Sequence, residues 1–194
     1  MKLGPASRIL AVAAVCAITL IGLVIREGRA RDAGAEVRLP IEAVDPRALL
    51  SGHYVIVAPT WRLDRAEPCP PGQDGGAWVA LAPREGVHVV AGAAATREEA
   101  QRLAPLVARG GFMCRPPRQA NGDAPVQPGV VRATLGPERF HITQDDAERI
   151  DGVLREQRPG APARAFAVMS IGADGRARLK GLIVDGRRFD LDWF

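Results

Sequence analysis

The run Ile9–Ile25, ILAVAAVCAITLIGLVI, carries no charged side chain and is bounded by Arg8 and Arg26. As a helix rising about 1.5 Å per residue it is roughly 25 Å long, close to the shortest length that crosses a bilayer core. Ile, Leu and Val dominate it, each contributing about −0.3 to −0.6 kcal/mol toward insertion near the helix centre. In lipid the backbone must satisfy its own hydrogen bonds, so a single segment of this kind can only be a helix. Arg8 and Arg26 are placed to extend into the two headgroup layers.

This reading divides the chain into a short tail (1–8), a transmembrane anchor (9–25), a polar stalk (26–35) and a body (36–194). Retention as an anchor is expected. The alternative is cleavage at the small-x-small stretch Gly28-Arg29-Ala30, which would release a secreted body. Lys2 and Arg8 before the run are nearly balanced by Arg26, Arg29 and Arg31 after it, so charge orients the segment weakly. A short tail ahead of a folded body reads as tail inside and body outside, in the periplasm or beyond. The expected address is the bacterial cytoplasmic membrane.

The body has the length of one domain. Twenty-six basic against 22 acidic side chains leave a net charge of +4, spread along the chain rather than gathered into a basic stripe with aromatics. Nucleic-acid binding is therefore not expected. Outside the anchor the cysteines are Cys69 and Cys114, each in a Pro/Gly-rich stretch. They form either a structural bridge, which suits an extracytoplasmic body, or an inert pair. They do not form C-x-x-C, the pattern expected of a redox dithiol.

The body alternates in the manner of strands. Val37, Leu39 and Ile41 share one face of Glu36–Glu42, with Pro40 in opposite phase suggesting an edge strand. Asp45 and Pro46 suit the start of one helical turn. Ser51-Gly-His-Tyr-Val-Ile-Val-Ala-Pro-Thr-Trp61 is apolar on both faces, as a covered central strand would be, with pairing weakened or ended at Pro59. Residues 76–82 and 87–91 around Pro83-Arg-Glu-Gly86 read as a hairpin with a four-residue connection. Thr96-Arg-Glu-Glu99 has capping-box spacing and opens a helix through Ala100, Leu103, Leu106 and Val107, weakened by Pro105 and ended by Gly110-Gly111. An exposed loop covers 115–129. Strands are expected at 130–135 and 139–142, then a helix capped at Thr143-Gln-Asp-Asp146 and passing through Ile150, Val153 and Leu154. Three closing strands are expected at 165–171, 177–184 and 188–194, with turns at Ala173-Asp-Gly-Arg176 and Asp185-Gly186. The fold class is α+β: a predominantly antiparallel sheet, sandwich- or barrel-like, with one or two short helices behind a transmembrane helix.

Residues that carry chemistry are sparse. His53, His88 and His141 each fall in a strand, and no pair has the i, i+2 or i, i+4 spacing of metal ligands, so no metal or cofactor is expected. No nucleophile elbow is present. Glu98-Glu99 and Asp145-Asp146 lie in first helical turns, where the dipole favours negative charge and capping accounts for them.

Three stretches together resemble the GDYXXLXY family of bacterial membrane-associated proteins. They are Val44-Asp-Pro-Arg47 with Gly52-His-Tyr-Val-Ile-Val-Ala-Pro59, then Glu138-Arg-Phe-His-Ile142, then the hairpin Ala173–Gly186. Here His53 stands for the motif's Asp, Val57 for its Leu and Pro59 for its last Tyr. The resemblance marks Asp45, Pro46, Gly52, His53 and Tyr54 as motif residues, with Gly52 and Tyr54 in structural roles. Family members tend to occur beside or fused to multi-span membrane proteins, which implies such a partner. The expected function is that of a membrane-anchored extracytoplasmic accessory or interaction domain without catalytic activity. The alternative is an anchored envelope hydrolase that uses a histidine such as His53 with an acidic partner.

Overall fold

A computed structural model describes residues 4–43, 54–64, 67–72, 76–118, 127–136, 139–141, 149–150, 152–153 and 163–190. Helix α1 spans Pro5–Asp32, with Pro5 at its first position, where a missing N–H costs nothing. Among the described residues one helix is long and apolar enough to cross a membrane, with an 18-residue window of mean hydropathy 2.6 of which none is buried against the rest of the protein. Residues 26–32, expected as a polar stalk, continue this helix. The chain bends at Ala33-Gly34 and enters a strand at once.

Eleven strands follow among the described residues. They are β1 (Ala35–Ala43), β2 (Tyr54–Leu63), β3 (Trp78–Arg84), β4 (Val87–Ala94), β5 (Leu106–Arg109), β6 (Gly111–Arg115), β7 (Gly129–Thr134), β8 (Arg139–His141), β9 (Ala165–Ile171), β10 (Ala177–Val184) and β11 (Arg187–Asp190). Helix α2 (Arg97–Leu103) lies between β4 and β5. One sheet runs β11-β10-β9-β1-β2-β7-β6, with β8 also paired to β2, and a second runs β4-β3-β5. Every ladder is antiparallel. Val37, Leu39, Ile41, Met169 and Leu182 of the large sheet join Val79, Leu81 and Val90 of the small one in a single core. The small sheet's other face packs Ala80 against Ala100 and Ala104, on and just after α2. The body is thus a two-sheet sandwich with a helix on its outside. It does not close as a barrel.

Several local expectations are corrected, each for a backbone reason. Pro40 is not on an edge, because β1 lies between β9 and β2. It is the last residue registered with β9, and Ile41 is the first registered with β2, so the absent N–H falls where the chain changes partner. Pro59 does not end its strand. β2 pairs with β8 through Tyr54–Ile56 and with β7 through Thr60–Leu63, and Pro59 occupies the gap between those two ladders. The β3–β4 connection is two residues, not four. Glu85 and Gly86 both take positive φ (51° and 81°), the geometry that matches the twist of a two-residue hairpin.

α2 has the expected capping box, with Thr96 accepting from the Glu99 amide and Glu99 from that of Thr96. It ends at Leu103, however, and Leu106 and Val107 belong to strand β5. Pro105 forces the residue before it out of the helical region, and Ala104 is fully extended (φ −158°, ψ 153°). The cap expected at Thr143–Asp146 lies outside the described residues. Ile150 beyond it is helical and fully buried. In β10 a bulge falls between Leu179 and Gly181. It lets Leu179 and Leu182, three apart, both reach the core, and it leaves Lys180 on the surface side.

Candidate functional site

The strands have two ends, and the ends differ in chemistry. At one end the β9–β10 turn meets the start of β3 and the last turns of α1. Gly175, with φ 76°, lies against the Trp78 ring, where a Cβ would collide. The Arg109 amide donates to the Gly175 carbonyl (2.7 Å), and its guanidinium stacks 4.9 Å from the Trp78 centroid. Arg97 adds a bond to the Ala173 carbonyl at 2.8 Å. Arg178, 9% exposed, is the hinge of this end: it donates to Glu27 of α1 at 2.5 Å and to Asp174 of the turn at 3.0 Å. Beside it Glu36 accepts from Arg188 (3.0 Å) and Lys180 (3.1 Å). The helix is therefore fastened to the body by charge-assisted bonds.

These pairs set a pH dependence. Hydrogen bonds from Arg178, opposed by burial and aided by the Arg176 amide, hold the Asp174 carboxyl down from 3.8 to about 2. Arg188 and then Lys180 lower Glu36 in the same way. Because both folded values lie below the unfolded ones, the unfolded chain takes up protons first as pH falls. The stabilisation is complete above the unfolded values and disappears as pH drops through the folded ones. Thermal midpoints measured from pH 5 to pH 2 should fall more steeply below 3.8 in the parent than in Asp174→Asn. Equal slopes would disprove the role given to Asp174.

The opposite end holds a groove of about 230 Å³. Arg84, Glu42 and Ala163 line it, and each stands at or beyond the strand terminus remote from the 172–176 turn: the end of β3, the end of β1 and the approach to β9. Six residue steps of β-strand lead from Trp78 to Arg84, about 20 Å. The floor is apolar, built from Trp61, Leu63, Val89, Val90 and Val131. Trp61 is 7% exposed, and its Nε1 donates to the His88 carbonyl at 2.8 Å, tying β2 of one sheet to β4 of the other. Two ion pairs border the opening, Arg62–Glu42 at 2.6 Å and Arg84–Glu67 at 3.0 Å.

One wall is irregular chain, residues 67–72, and it is held at three points. Glu67 pairs with Arg84, the Pro71 carbonyl accepts from the Ala93 amide at 2.9 Å, and Cys69 is bonded to Cys114 of β6 with a Cα–Cα distance of 5.8 Å. The arrangement offers apolar contact, a tryptophan and self-neutralised charges. Thr60 is the hydroxyl in the lining, and its Oγ1 donates to the Ala58 carbonyl.

Of the residues marked in the sequence, Asp45, Pro46, Gly52, His53, Asp145 and Asp146 lie outside the described residues. Tyr54 opens β2 and is registered with His141 of β8. His88 lies in β4; burial pushes its imidazole below the usual 6.5, and its Nδ1 is buried without a hydrogen-bond partner among the described residues. Among the described residues no three His, Cys, Asp or Glu gather closely enough to hold a metal ion. Sequence reasoning did not single out Glu27, Glu42, Arg62, Arg84, Asp174 or Arg178. The one signal available was Asp174 and Arg178 flanking a turn glycine, a spacing common on any hairpin.

The family described as GDYXXLXY protein matches residues 16–182. The chain belongs to the GDYXXLXY family. The matched span begins inside α1 and ends in β10, so it includes both partners of the Glu27–Arg178 bond. In this GDYXXLXY chain β2 is the long strand that receives β1, β7 and β8 and carries Trp61 to the groove. No curated protein and no solved structure matches the chain.

Proposed function

We propose that this GDYXXLXY protein is a membrane-anchored accessory domain that works by contact, presenting its groove to an integral membrane partner. The body stands outside the cytoplasmic membrane, in the periplasm or beyond. One observation carries the reading: a groove with apolar residues and two neutralising ion pairs in its lining opens at the end of the body remote from α1. A partner loop of apolar side chains flanked by charges would meet Trp61 on the floor and the two Arg–Glu pairs at the rim. Tethering to the bilayer raises the local concentration, so a modest interface is enough. The docked end of α1 supports retention of the helix, since cleavage after Ala30 would remove Glu27 and leave Arg178 with Asp174 alone.

A photo-crosslinking amino acid in place of Val89 tests this in native membranes. Irradiation is expected to join the protein to one integral membrane species. The same probe in place of Glu98, on the outer face of α2, should give no such product. Equal products from both positions, or none from Val89, would refute the groove as the contact surface.

A further inference from the structure

The charges around the foot of α1 lie at the end of the body opposite the groove. Glu27 lies two residues beyond Ile25, the last apolar residue of the run, so with the run in lipid it stands about 3 Å outside the hydrocarbon. Each headgroup layer is about 5–8 Å deep. Arg178 is 2.5 Å from Glu27 and 3.0 Å from Asp174, which ties the 172–176 turn to the helix at that level. The body therefore rests on the bilayer instead of standing clear of it.

The carboxylates nearest this level are already engaged: Glu27 and Asp174 share Arg178. Arg26 and Arg29, one helical turn apart and exposed, have no ion-pair or hydrogen-bond partner for their guanidinium groups among the described residues. Arg176 is 68% exposed and only 3.9 Å from Asp174 at its nearest. Arg26 and Arg29 are thus unpaired among the described residues, and Arg176 is paired only at the limit of an ion pair and mostly exposed, so all three can meet what the layer contains.

We propose that Arg26, Arg29 and Arg176 form a binding surface for anionic phospholipid headgroups, which seats the body directly on the membrane. Guanidinium groups bind phosphate through paired N–H donors, and a headgroup with net negative charge is favoured over a zwitterionic one by about 1 kcal/mol per basic side chain near the surface. The inference rests on the anchored reading above, and its test separates the two.

The full chain is reconstituted in nanodiscs of phosphatidylcholine and phosphatidylglycerol at a 3:1 ratio (a chosen composition, roughly that of a weakly anionic bilayer). A nitroxide on Ala173→Cys, in a Cys16→Ser background, reports the turn. It is expected to broaden the phosphatidylglycerol phosphorus resonance about twofold more than that of phosphatidylcholine. The preference should vanish in Arg26→Gln/Arg29→Gln/Arg176→Gln, whose changes are all at exposed positions. A nitroxide on Pro83→Cys, at the groove end, should broaden neither. Added inorganic phosphate should leave the preference intact; its loss would mean free phosphate, not lipid, is the ligand. Equal broadening of both lipids, or none, overturns the proposal. A separate label on native Cys16 tests the anchor: oxygen-rich surroundings retain it, while aqueous surroundings overturn anchor and headgroup surface together.

Discussion

Trp61→Ala should lower the unfolding free energy by about 3–5 kcal/mol, the usual cost of emptying a buried aromatic site. Domains of this size are stable by about 5–15 kcal/mol, so much of the margin would disappear. Two losses combine. The ring is 7% exposed in the shared core, and its removal leaves a cavity where the sheets meet. The Nε1 bond to the His88 carbonyl is one of the direct ties between the sheets, and its loss leaves a carbonyl facing apolar surroundings. Trp61→Phe separates the two effects: it keeps most of the apolar contact and should cost about 1 kcal/mol, the net value of a hydrogen bond. Urea unfolding of the detergent-solubilised chain gives both figures, and a shift under 1 kcal/mol for the alanine variant (well short of the cavity range) would remove Trp61 from its place in the core.

Breaking the Cys69–Cys114 bond is expected to cost about as much, though by another route. The bond closes a loop of sequence separation 45, for which lost chain entropy in the unfolded state predicts about 4 kcal/mol. Cys69→Ser/Cys114→Ser should bring the unfolding midpoint down accordingly. The effect should also be local. Of the three ties on the 67–72 wall, only the Arg84–Glu67 pair and the Ala93–Pro71 bond would remain, and the first is exposed enough to hold weakly. Amide exchange should therefore quicken in 67–72 and at Ala93, while β9 and β10 remain protected. Uniform exchange across the body, or an unchanged midpoint, would show that the bond does not shape the groove.

Much of the fold was legible because it follows from period and punctuation. Alternation at Val37, Leu39 and Ile41 placed β1 on its correct face. The two glycine turns of the last third placed β9, β10 and β11, and Thr96 with Glu99 located the start of α2. The misreadings have a common cause: proline and turn geometry depend on which neighbour a residue faces. Pro40 and Pro59 look like edge signals in isolation, but each falls at a change of partner inside the sheet. Pro105 was read as a weak point in a helix, whereas it marks the passage into β5. The candidate groove was illegible for a related reason. Its residues come from 40–42, 60–63, 67, 70, 84, 89–90, 131 and 163, and no local pattern associates them.

The amino-acid order alone determined the apolar helix, the antiparallel β-rich body behind it and the kinship with the GDYXXLXY family. Those properties arise from neighbours in the chain, through hydrophobic period, backbone freedom and short motifs. Only the tertiary structure decided that two sheets stack in place of a barrel, that Arg178 fastens the helix to a distant hairpin, and that the groove opens at the opposite end. Contacts such as Glu27 with Arg178 join residues 151 positions apart. They exist because burial brings whole sheets together, and the charges then find the partners that this packing leaves within reach.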